Sequence, residues 1–560
     1  MSRHVDKEGR IEDRGNKGGE IIIENERSKR NLEDSSPVYR ISLCVILIVS
    51  TILRFRGLGV ESFWLDELTT LDAVNGGNWR DTMEGWLSMV GMGTWILYWW
   101  AQIVGTESDY ALRSVSAITG ILLIFLVSEF TRKHADEKAG IIAAGMMSVS
   151  YLSILYSQEF RPYMFTTLFI WISFYLIRKP EKLSKIQIAI CITLLTLAYL
   201  IHYLAGLAIV LGLICDFVIR IKSTITNRDT KKQFEIRSEV RDYLNSSHGQ
   251  RLMICFSLAS VAIFMLEKMF LDSSSTNHSM WINDTPRRPV VSLFDYFVAF
   301  DDRGTFTDIA ESLWYFVLLS PLILYLHRKM KTERGIENEI EWFVWAVGGG
   351  SMLMVVIYSI LVRPLWVSRY FVFSMPAWYM LFGASISKTI DLLGTVFNSQ
   401  RSNSYGVMNG SWIVALVFTT IFASNSLHWL VNDFEYYEQG GRCDFRGMSE
   451  WLDENTPENQ DDVFIVSQPY SRFWELYLDR MDSDVEIDTH GSWGDLGIGQ
   501  LMPIIDDESD LVIHIRGHKK DMWNYDELTF VLNGSYELEQ SYYFTEGQID
   551  VYKRVRWLGN

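Results

Sequence analysis

Long apolar runs separated by short polar or charged segments fill the chain from about residue 40 to about residue 430. Most of these runs are roughly 17–23 residues long, which is the length that an α-helix needs to cross a bilayer. The pattern therefore predicts a polytopic α-helical membrane protein. The eleven predicted spans are at about 40–58, 110–130, 139–158, 163–178, 186–203, 204–220, 252–270, 311–327, 341–362, 370–388 and 411–430.

Lysine and arginine cluster in loops on one side of the predicted bundle, at 132–133, 178–179, 222–251 and 328–329. Short cytoplasmic loops carry these residues in excess. This side is therefore predicted to be cytoplasmic, together with the N-terminus. With eleven spans, the C-terminal tail then lies on the extracytoplasmic side. We expect a multi-pass protein of the plasma membrane.

The stretch 83–104 is also apolar, and it carries Trp86, Trp95, Trp99 and Trp100. If this stretch were a span, the basic loops would change sides. We therefore predict that it forms a helix lying in the outer membrane interface, where tryptophan is favoured.

The polar segments before and after the spans predict two further regions. Residues 1–37 have mixed charge and no apolar core, which indicates a disordered cytoplasmic arm. Residues 38–431 form the transmembrane domain, and residues 432–560 are predicted to form a small extracytoplasmic α/β domain. Its predicted elements are a helix at 444–454 and strands at 462–466, 511–515 and 549–552.

The negative charge of the chain is concentrated in this tail. Residues 432–560 hold 10 Lys and Arg against 28 Asp and Glu, a net charge of −18, while the whole chain carries −17. This balance argues against nucleic acid as a partner. A solvated acidic surface and recognition of a cationic substrate both remain open. The five cysteines fit neither a disulfide framework nor a zinc pattern.

Candidate chemistry collects on the predicted outer side of the membrane. Charged residues at the ends of membrane helices are costly and usually functional. A phosphate or pyrophosphate leaving group requires cations as its charge develops. The candidate residues are Asp66 and Glu67 in the first outer loop, Glu159, Arg161 and Tyr163 between the third and fourth spans, His202 after the fifth, and Arg369 and Tyr370 at the tenth.

Several of these residues lie in motifs that resemble a known family. Residues 53–58 and Phe-Trp-Leu-Asp-Glu-Leu at 63–68 resemble the opening signature of GT-C glycosyltransferases related to dolichyl-phosphate-mannose–protein mannosyltransferases. Bacterial lipid A aminoarabinose transferases belong to the same wider group. Similar segments follow in the family's order at 110–120, 156–163, 201–203 and 368–371. The Trp-Trp-Asp motif of oligosaccharyltransferases is absent from the tail.

The resemblance implies an inverting glycosyltransferase, similar to hexosyl and mannosyl transferases, that acts on the extracytoplasmic face. The donor would be a sugar on a polyprenyl or dolichyl phosphate, and the acceptor a protein, a lipid or a growing glycan. It assigns catalysis to Asp66, as general base, and to Glu159, donor-phosphate binding to Arg161 and Arg369, and substrate binding to Glu67, Tyr163, His202 and Tyr370.

Other interpretations of these residues stay open. Asp66 is also a suitable N-cap for a short helix, and Glu159 with Arg161 is also a plausible structural ion pair. Arg54 and Arg113 are interpreted as boundary or structural residues. No cofactor is predicted besides the lipid-linked donor. The Asp66 and Glu67 carboxylates are a possible divalent-ion site, and the metal requirement is left open.

Two other classes of function compete with the transferase. A transporter or flippase for a lipid-linked glycan would bury charges or broken helices near the membrane midplane. The candidate residues instead collect at one surface. A membrane anchor with a binding tail leaves the ordered motifs unexplained. The tail itself is compatible with binding the acceptor, covering the catalytic groove or contacting a cell-surface layer.

Overall fold

The computed structural model of the protein describes residues 35–75, 93–178, 184–202, 204–226, 339–361, 368–398, 443–457, 459–460, 462–468, 472–489, 509–517, 535–545 and 547–555. The spans predicted at 252–270, 311–327 and 411–430 lie outside these residues. So does most of the predicted arm at 1–37.

Helices make up the described part of the chain up to residue 398. They are α1 (Pro37–Phe55), α2 (Leu65–Asn75), α3 (Gly93–Val104), α4 (Asp109–His134), α5 (Glu137–Val149), α6 (Tyr151–Ser157), α7 (Tyr163–Ile177), α8 (Lys185–Ile201), α9 (Ala205–Thr226), α10 (Glu339–Trp345), α11 (Ser351–Leu361) and α12 (Met375–Asn398). A π-helical turn (Ala346–Gly350) joins α10 to α11, and a 3-10 helix (Ser368–Ser374) leads into α12.

Three helices of the described residues are long and apolar enough to cross a membrane: α1 (Pro37–Phe55), α4 (Asp109–His134) and Trp342–Leu361. The last of these runs from α10 through the π-helical turn into α11. The bent pair α5 and α6 would make a fourth, and α7 and α8 are shorter apolar helices. The helical, membrane-type character predicted from the sequence is therefore confirmed. The number of eleven spans stays a prediction. Helix α3 begins inside the stretch predicted to lie in the membrane interface.

Helix α1 separates a lipid-type face from a packed face. Its packed face carries Tyr39, Leu43 and the polar Ser50 and Arg54, all of which are buried. Apolar residues at a spacing of three and four predict a continuous stripe along a helix. Large apolar side chains are exposed along the other face at Val38, Ile41, Val45, Ile48 and Ile52.

The span predicted at 139–158 corresponds to the bent pair α5 and α6, and the break within it was not predicted from the sequence. The chain breaks at Ser150, where α5 and α6 meet at an angle of 62°. Ser150 has an extended backbone, and its side chain accepts the Ser153 N–H at the start of α6. The hydroxyl of Tyr379 donates to the Ser150 side chain from α12. An apolar run has the right length for a span, but it does not reveal such a break.

The Arg54 side chain satisfies the backbone at this break. It is fully buried, and its Nη1 and Nη2 donate to the carbonyls of Ser148 and Met147 at 3.0 and 3.3 Å. The same guanidinium reaches Ser153 at 2.6 Å. Carbonyls released from a broken helix need such partners in an apolar medium. The packing is close, because a Cβ on Gly120 would lie 2.2 Å from the Ser157 hydroxyl.

The described residues between 443 and 555, which we call the C-terminal unit, contain a mixed five-stranded sheet in the order β2-β1-β3-β5-β4. Strands β1 and β2 and strands β1 and β3 pair in parallel, whereas β5 runs antiparallel to β3 and β4. The elements are α13 (Phe445–Asn455), β1 (Val463–Gln468), α14 (Arg472–Arg480), β2 (Asp488–Thr489), β3 (Leu511–Arg516), β4 (Tyr536–Phe544) and β5 (Gly547–Arg554).

The predicted helix and three predicted strands of the tail are present as α13, β1, β3 and β5. Helix α14 and strands β2 and β4 were not predicted from the sequence. The boundaries of the predicted extracytoplasmic domain at 432–560 stay a prediction, as do those of the other two regions.

One apolar cluster runs from the C-terminal unit into the helical part. Phe473, Trp474 and Ile513 of the unit belong to the same cluster as Phe63 and Phe160 of the loops. Burial of apolar surface stabilises by roughly 25 cal/mol per Å². The C-terminal unit therefore packs firmly against the end of the bundle that carries these loops.

We predict that Arg54→Leu lowers the free energy of unfolding by about 3 kcal/mol, because it leaves buried carbonyls without donors. Arg40→Leu in the same helix removes an exposed arginine and should change it by about 0.5 kcal/mol or less. Denaturant unfolding of the purified protein in detergent measures both variants. Equal stability of the two would contradict the role given to Arg54.

Candidate active site

Five helix ends meet at one end of the bundle, which we call the site end. These are the last residues of α1, α6 and α8 and the first residues of α4 and α7. The Gln158 side chain, just after α6, donates to the carbonyls of Arg54 and Arg56 at the end of α1. The candidate residues of the first loop and of the turn at 158–162 are thereby brought together.

The centre of the site end is a buried ion pair between Glu67 and Arg113. Arg113 Nε and Nη2 donate to the two carboxylate oxygens of Glu67 at 2.9 and 2.7 Å. The two side chains are 0% and 2% exposed. Glu67 Oε1 also accepts the Phe160 N–H at 2.7 Å. Glu67, predicted to bind substrate, is thus engaged by the protein itself on both oxygens.

Arg113 also organises the loop before α2. Its remaining donors reach the carbonyls of Leu58, Glu61 and Ser62 at 3.2, 2.7 and 3.2 Å. The guanidinium carbon lies 4.8 Å from the centre of the Phe63 ring. Bidentate arginine–carboxylate pairs fix geometry as well as charge. Arg113, interpreted as a structural residue from the sequence, therefore shapes the loop that leads to Asp66.

Asp66 and Arg161 face each other beside this pair. Arg161 Nη2 lies 3.8 Å from Asp66 Oδ2, and the side chains of Arg161 and Asp66 are 18% and 24% exposed. Arg161 Nη1 donates to the Asp66 carbonyl at 2.9 Å and to the Thr70 hydroxyl at 2.7 Å. Asp66 lies in the first turn of α2. The guanidinium is thus held in place by α2, and both side chains are partly exposed.

The charge of Arg161 is reinforced by its neighbours. Burial alone would lower the pKa of Arg161, but Tyr163, Asp66 and Glu159 outweigh it and raise the pKa. Glu159 is buried, at 3% exposed, two residues before Arg161. Among the described residues, Arg161 Nη2 lies within ion-pair distance of Asp66. Arg161 therefore keeps its positive charge throughout the physiological range.

Tyr163 and His202 extend the site from Arg161 toward α8. The guanidinium carbon of Arg161 lies 5.6 Å from the Tyr163 ring centre, within the range of a cation–π contact. The rings of Tyr163 and His202 are 6.1 Å apart. His202 is the C-cap residue that directly follows α8. The predicted residues Asp66, Arg161, Tyr163 and His202 thus form one row of neighbours.

Arg369 and Tyr370 belong to the 3-10 helix Ser368–Ser374. Their side chains lie outside what the structure describes, so their predicted roles stay predictions.

The paired carboxylates do not fit a divalent ion. Both oxygens of Glu67 already accept hydrogen bonds from Arg113, and Asp66 faces Arg161. A cation there would be held against two guanidinium groups. Across the described ranges, no group of three His, Cys, Asp or Glu residues is placed to hold a metal ion.

Two parts of this region were not predicted from the sequence. Thr70, which is fully buried, holds Arg161 and donates to the Asp66 carbonyl. The spacing of four residues between Asp66 and Thr70 is the available signal, since such residues are neighbours on a helix. Asp109, at the start of α4, binds two arginines of the C-terminal unit. No local pattern marks those arginines.

We predict that Glu67→Gln lowers the free energy of unfolding by about 3 kcal/mol, because it leaves the buried Arg113 charge without its counter-charge. Glu539→Gln removes an exposed carboxylate 4.0 Å from Lys553 and should cost about 1 kcal/mol or less. Thermal and denaturant unfolding compare the two. An unchanged stability for Glu67→Gln would show that the pair is not an anchor.

Comparison with a family model supports the motifs at 110–120, 156–163 and 201–203. The model of the family described as dolichyl-phosphate-mannose-protein mannosyltransferase matches residues 91–232. This range includes Arg113, Glu159, Arg161, Tyr163 and His202, and it ends well short of the C-terminal unit. No curated protein matches the chain.

Solved structures are similar over most of the length of the chain. ArnT from Cupriavidus metallidurans bound to undecaprenyl phosphate is 13% identical, with a TM-score of 0.49 over 92% of this chain and 97% of its own. The oligosaccharyltransferase AglB from Archaeoglobus fulgidus, in complex with an inhibitory peptide and a dolichol-phosphate, is 13% identical, with a TM-score of 0.47 over 94% and 75%. The predicted resemblance to the dolichyl-phosphate-mannose–protein mannosyltransferases is confirmed by the family match over residues 91–232.

Proposed function

We propose that this protein is a membrane glycosyltransferase that moves a sugar from a polyprenyl-phosphate donor to an acceptor hydroxyl. The observation that carries the proposal is the placement of Asp66 against Arg161 at 3.8 Å. A carboxylate that can accept a proton thereby stands next to a guanidinium that can bind a phosphate. Both groups are partly exposed at the site end.

Arg161 is well suited to a departing phosphate. Its Nη1 is occupied by the Asp66 carbonyl and Thr70, which holds the side chain in one orientation. The Nη2 group, which lies 3.8 Å from Asp66 Oδ2, is the donor that we propose for a phosphate oxygen. The neighbouring Tyr163 ring and Glu159 favour the charged form.

The proposed reaction is a single displacement. The acceptor oxygen attacks the anomeric carbon, and the bond from that carbon to the phosphate oxygen breaks. The acceptor proton passes to Asp66, and the electron pair of the broken bond stays on the phosphate. The products are the new glycoside and free polyprenyl phosphate. Attack from the face opposite the phosphate inverts the configuration, and Arg161 stabilises the developing charge.

The orientation in the membrane is also proposed from charge. Arg132 and Lys133, at the last turn of α4, and Arg178, after α7, lie at the end of the bundle opposite Asp66. Basic residues favour the cytoplasmic side. The site end and the C-terminal unit would then be extracytoplasmic, next to acceptors of the cell envelope. Residues 38–431 would form the transferase domain and residues 432–560 the outer domain.

The remaining predicted residues take secondary roles in this proposal. Glu67 holds the loop through Arg113 and Phe160 rather than touching substrate. Glu159 favours the charged form of Arg161. Tyr163 lies next to Arg161, and His202 lies next to Tyr163. Arg369 is proposed as a second cation for the donor phosphate and Tyr370 as a substrate contact. The acceptor class stays open between protein, lipid and glycan.

We predict that Asp66→Asn lowers turnover by roughly 10²- to 10⁴-fold, because the amide cannot accept the acceptor proton. Asp72→Asn, an exposed carboxylate on the same helix, should leave turnover unchanged. The assay follows release of polyprenyl phosphate from a panel of labelled polyprenyl-phosphate sugars in membranes. Wild-type turnover in a folded Asp66→Asn variant would remove Asp66 from the mechanism. No release from any donor by the wild type would favour transport or binding instead.

We predict that Arg161→Lys lowers kcat by roughly 10²- to 10³-fold and raises the KM for the donor. The lysine keeps the charge, but it cannot bind Thr70 and a phosphate in the same fixed plane. Arg56→Lys changes an exposed arginine at the same end of the bundle and should be neutral. An unchanged kcat with a raised KM for the acceptor alone would assign Arg161 to the acceptor rather than to the phosphate.

A further inference from the structure

A tyrosine of the C-terminal unit bridges two loops of the membrane part. The Tyr477 hydroxyl accepts the Phe63 N–H at 2.8 Å and donates to Asp109 Oδ2 at 3.0 Å. A phenol can donate its one proton and accept through the lone pairs of its oxygen, so the Tyr477 hydroxyl can make both hydrogen bonds at once. Burial raises the pKa of Tyr477. The hydroxyl therefore stays protonated and keeps this polarity.

Asp109 is clamped by the same unit from two sides. Arg480 Nη1 binds Asp109 Oδ1 at 2.6 Å, and Arg446 Nη2 binds Asp109 Oδ2 at 2.5 Å. The Asp109 side chain is 2% exposed. A buried carboxylate requires such partners. The arginines also reach the carbonyls of Thr106 and Gly59, so they hold the backbone of both loops.

The contact continues directly into the candidate active site. The Phe63 ring is fully buried between Arg480, at 5.8 Å, and Arg113, at 4.8 Å from the ring centre. Arg113 binds Glu67 through both carboxylate oxygens. Phe63 precedes Asp66 by three residues. The C-terminal unit therefore touches the segment whose position decides where the Asp66 carboxylate lies.

We propose that Tyr477 is a positioning residue for the loop that carries Asp66, which makes the C-terminal unit a working part of the active site. The inference rests on the proposed function. The sequence leaves three roles open for the tail, and this contact adds a fourth. In this role, the C-terminal unit holds the loop that carries Asp66 in place. A displacement of about 1 Å in a reacting group can cost roughly a hundredfold in rate.

The test removes the Tyr477 hydroxyl and leaves the ring. In Tyr477→Phe, hydrogen exchange of the amides at 63–68 should become roughly three- to tenfold faster, because Phe63 N–H loses its acceptor. Turnover per folded molecule should fall roughly ten- to hundredfold, while the KM for the lipid-linked donor stays within about twofold. Exchange is measured on the full-length protein in detergent, and turnover by polyprenyl-phosphate release.

The matched control is Tyr536→Phe. Tyr536 is a buried tyrosine of the same unit whose hydroxyl donates to the Ser509 carbonyl within that unit. It should change neither exchange at 63–68 nor turnover. Asp109→Asn weakens the bridge from the bundle side and should act in the same direction as Tyr477→Phe. Because both act on one bridge, their effects should combine to less than the sum.

Three results distinguish the positioning role of Tyr477 from a docking contact and from a failure of the proposed function. Unchanged exchange at 63–68 in Tyr477→Phe would overturn the positioning role. Faster exchange with unchanged turnover per folded molecule would overturn it too, and would leave only a docking contact. If Tyr477→Phe exchanges faster at 63–68 but the wild type transfers no sugar, the contact of Tyr477 with the loop would be supported and the proposed glycosyl transfer would be contradicted.

Discussion

The buried pair of Glu67 and Arg113 is the constraint on which the site end depends. Two charges that are 0% and 2% exposed carry a large desolvation cost. Here the cost is offset by two direct bonds, by three loop carbonyls on Arg113 and by the Phe160 N–H on Glu67. The first loop, α2, α4 and the turn at Phe160 are thus held in one arrangement.

In that arrangement, the neighbouring carboxylates of Glu67 and Asp66 differ in burial and in partner. Successive residues of a helix point about 100° apart, so Glu67 is fully buried against Arg113 while Asp66, at 24% exposed, turns toward Arg161 and the outside. The engaged carboxylate gives rigidity, and the accessible one has room for chemistry. Rigid support beneath reacting groups is what electrostatic stabilisation of a transition state requires, because no reorganisation is needed during the reaction.

Polar groups inside the helical part also support the candidate site. The break at Ser150 precedes α6 and the turn that carries Glu159 and Arg161, and Arg54 supplies the donors that the break requires. On the other side of the site, the C-terminal unit contributes a shared apolar cluster and the contacts of Tyr477 to the loop. The candidate site is therefore supported both from within the bundle and by the C-terminal unit that packs against it.

The sequence by itself determined the helical membrane-type class, most described helices and three tail strands, and it marked Asp66, Arg161, Tyr163 and His202 as candidate site residues, because apolar run length, strand alternation and local charge are properties of neighbouring residues. Only the tertiary structure decided the break at Ser150, the engagement of Glu67 and the bridge through Tyr477. These depend on contacts between residues 46 to 414 positions apart, which no local pattern encodes. Packing and burial, rather than residue type, assigned each charged group its partner.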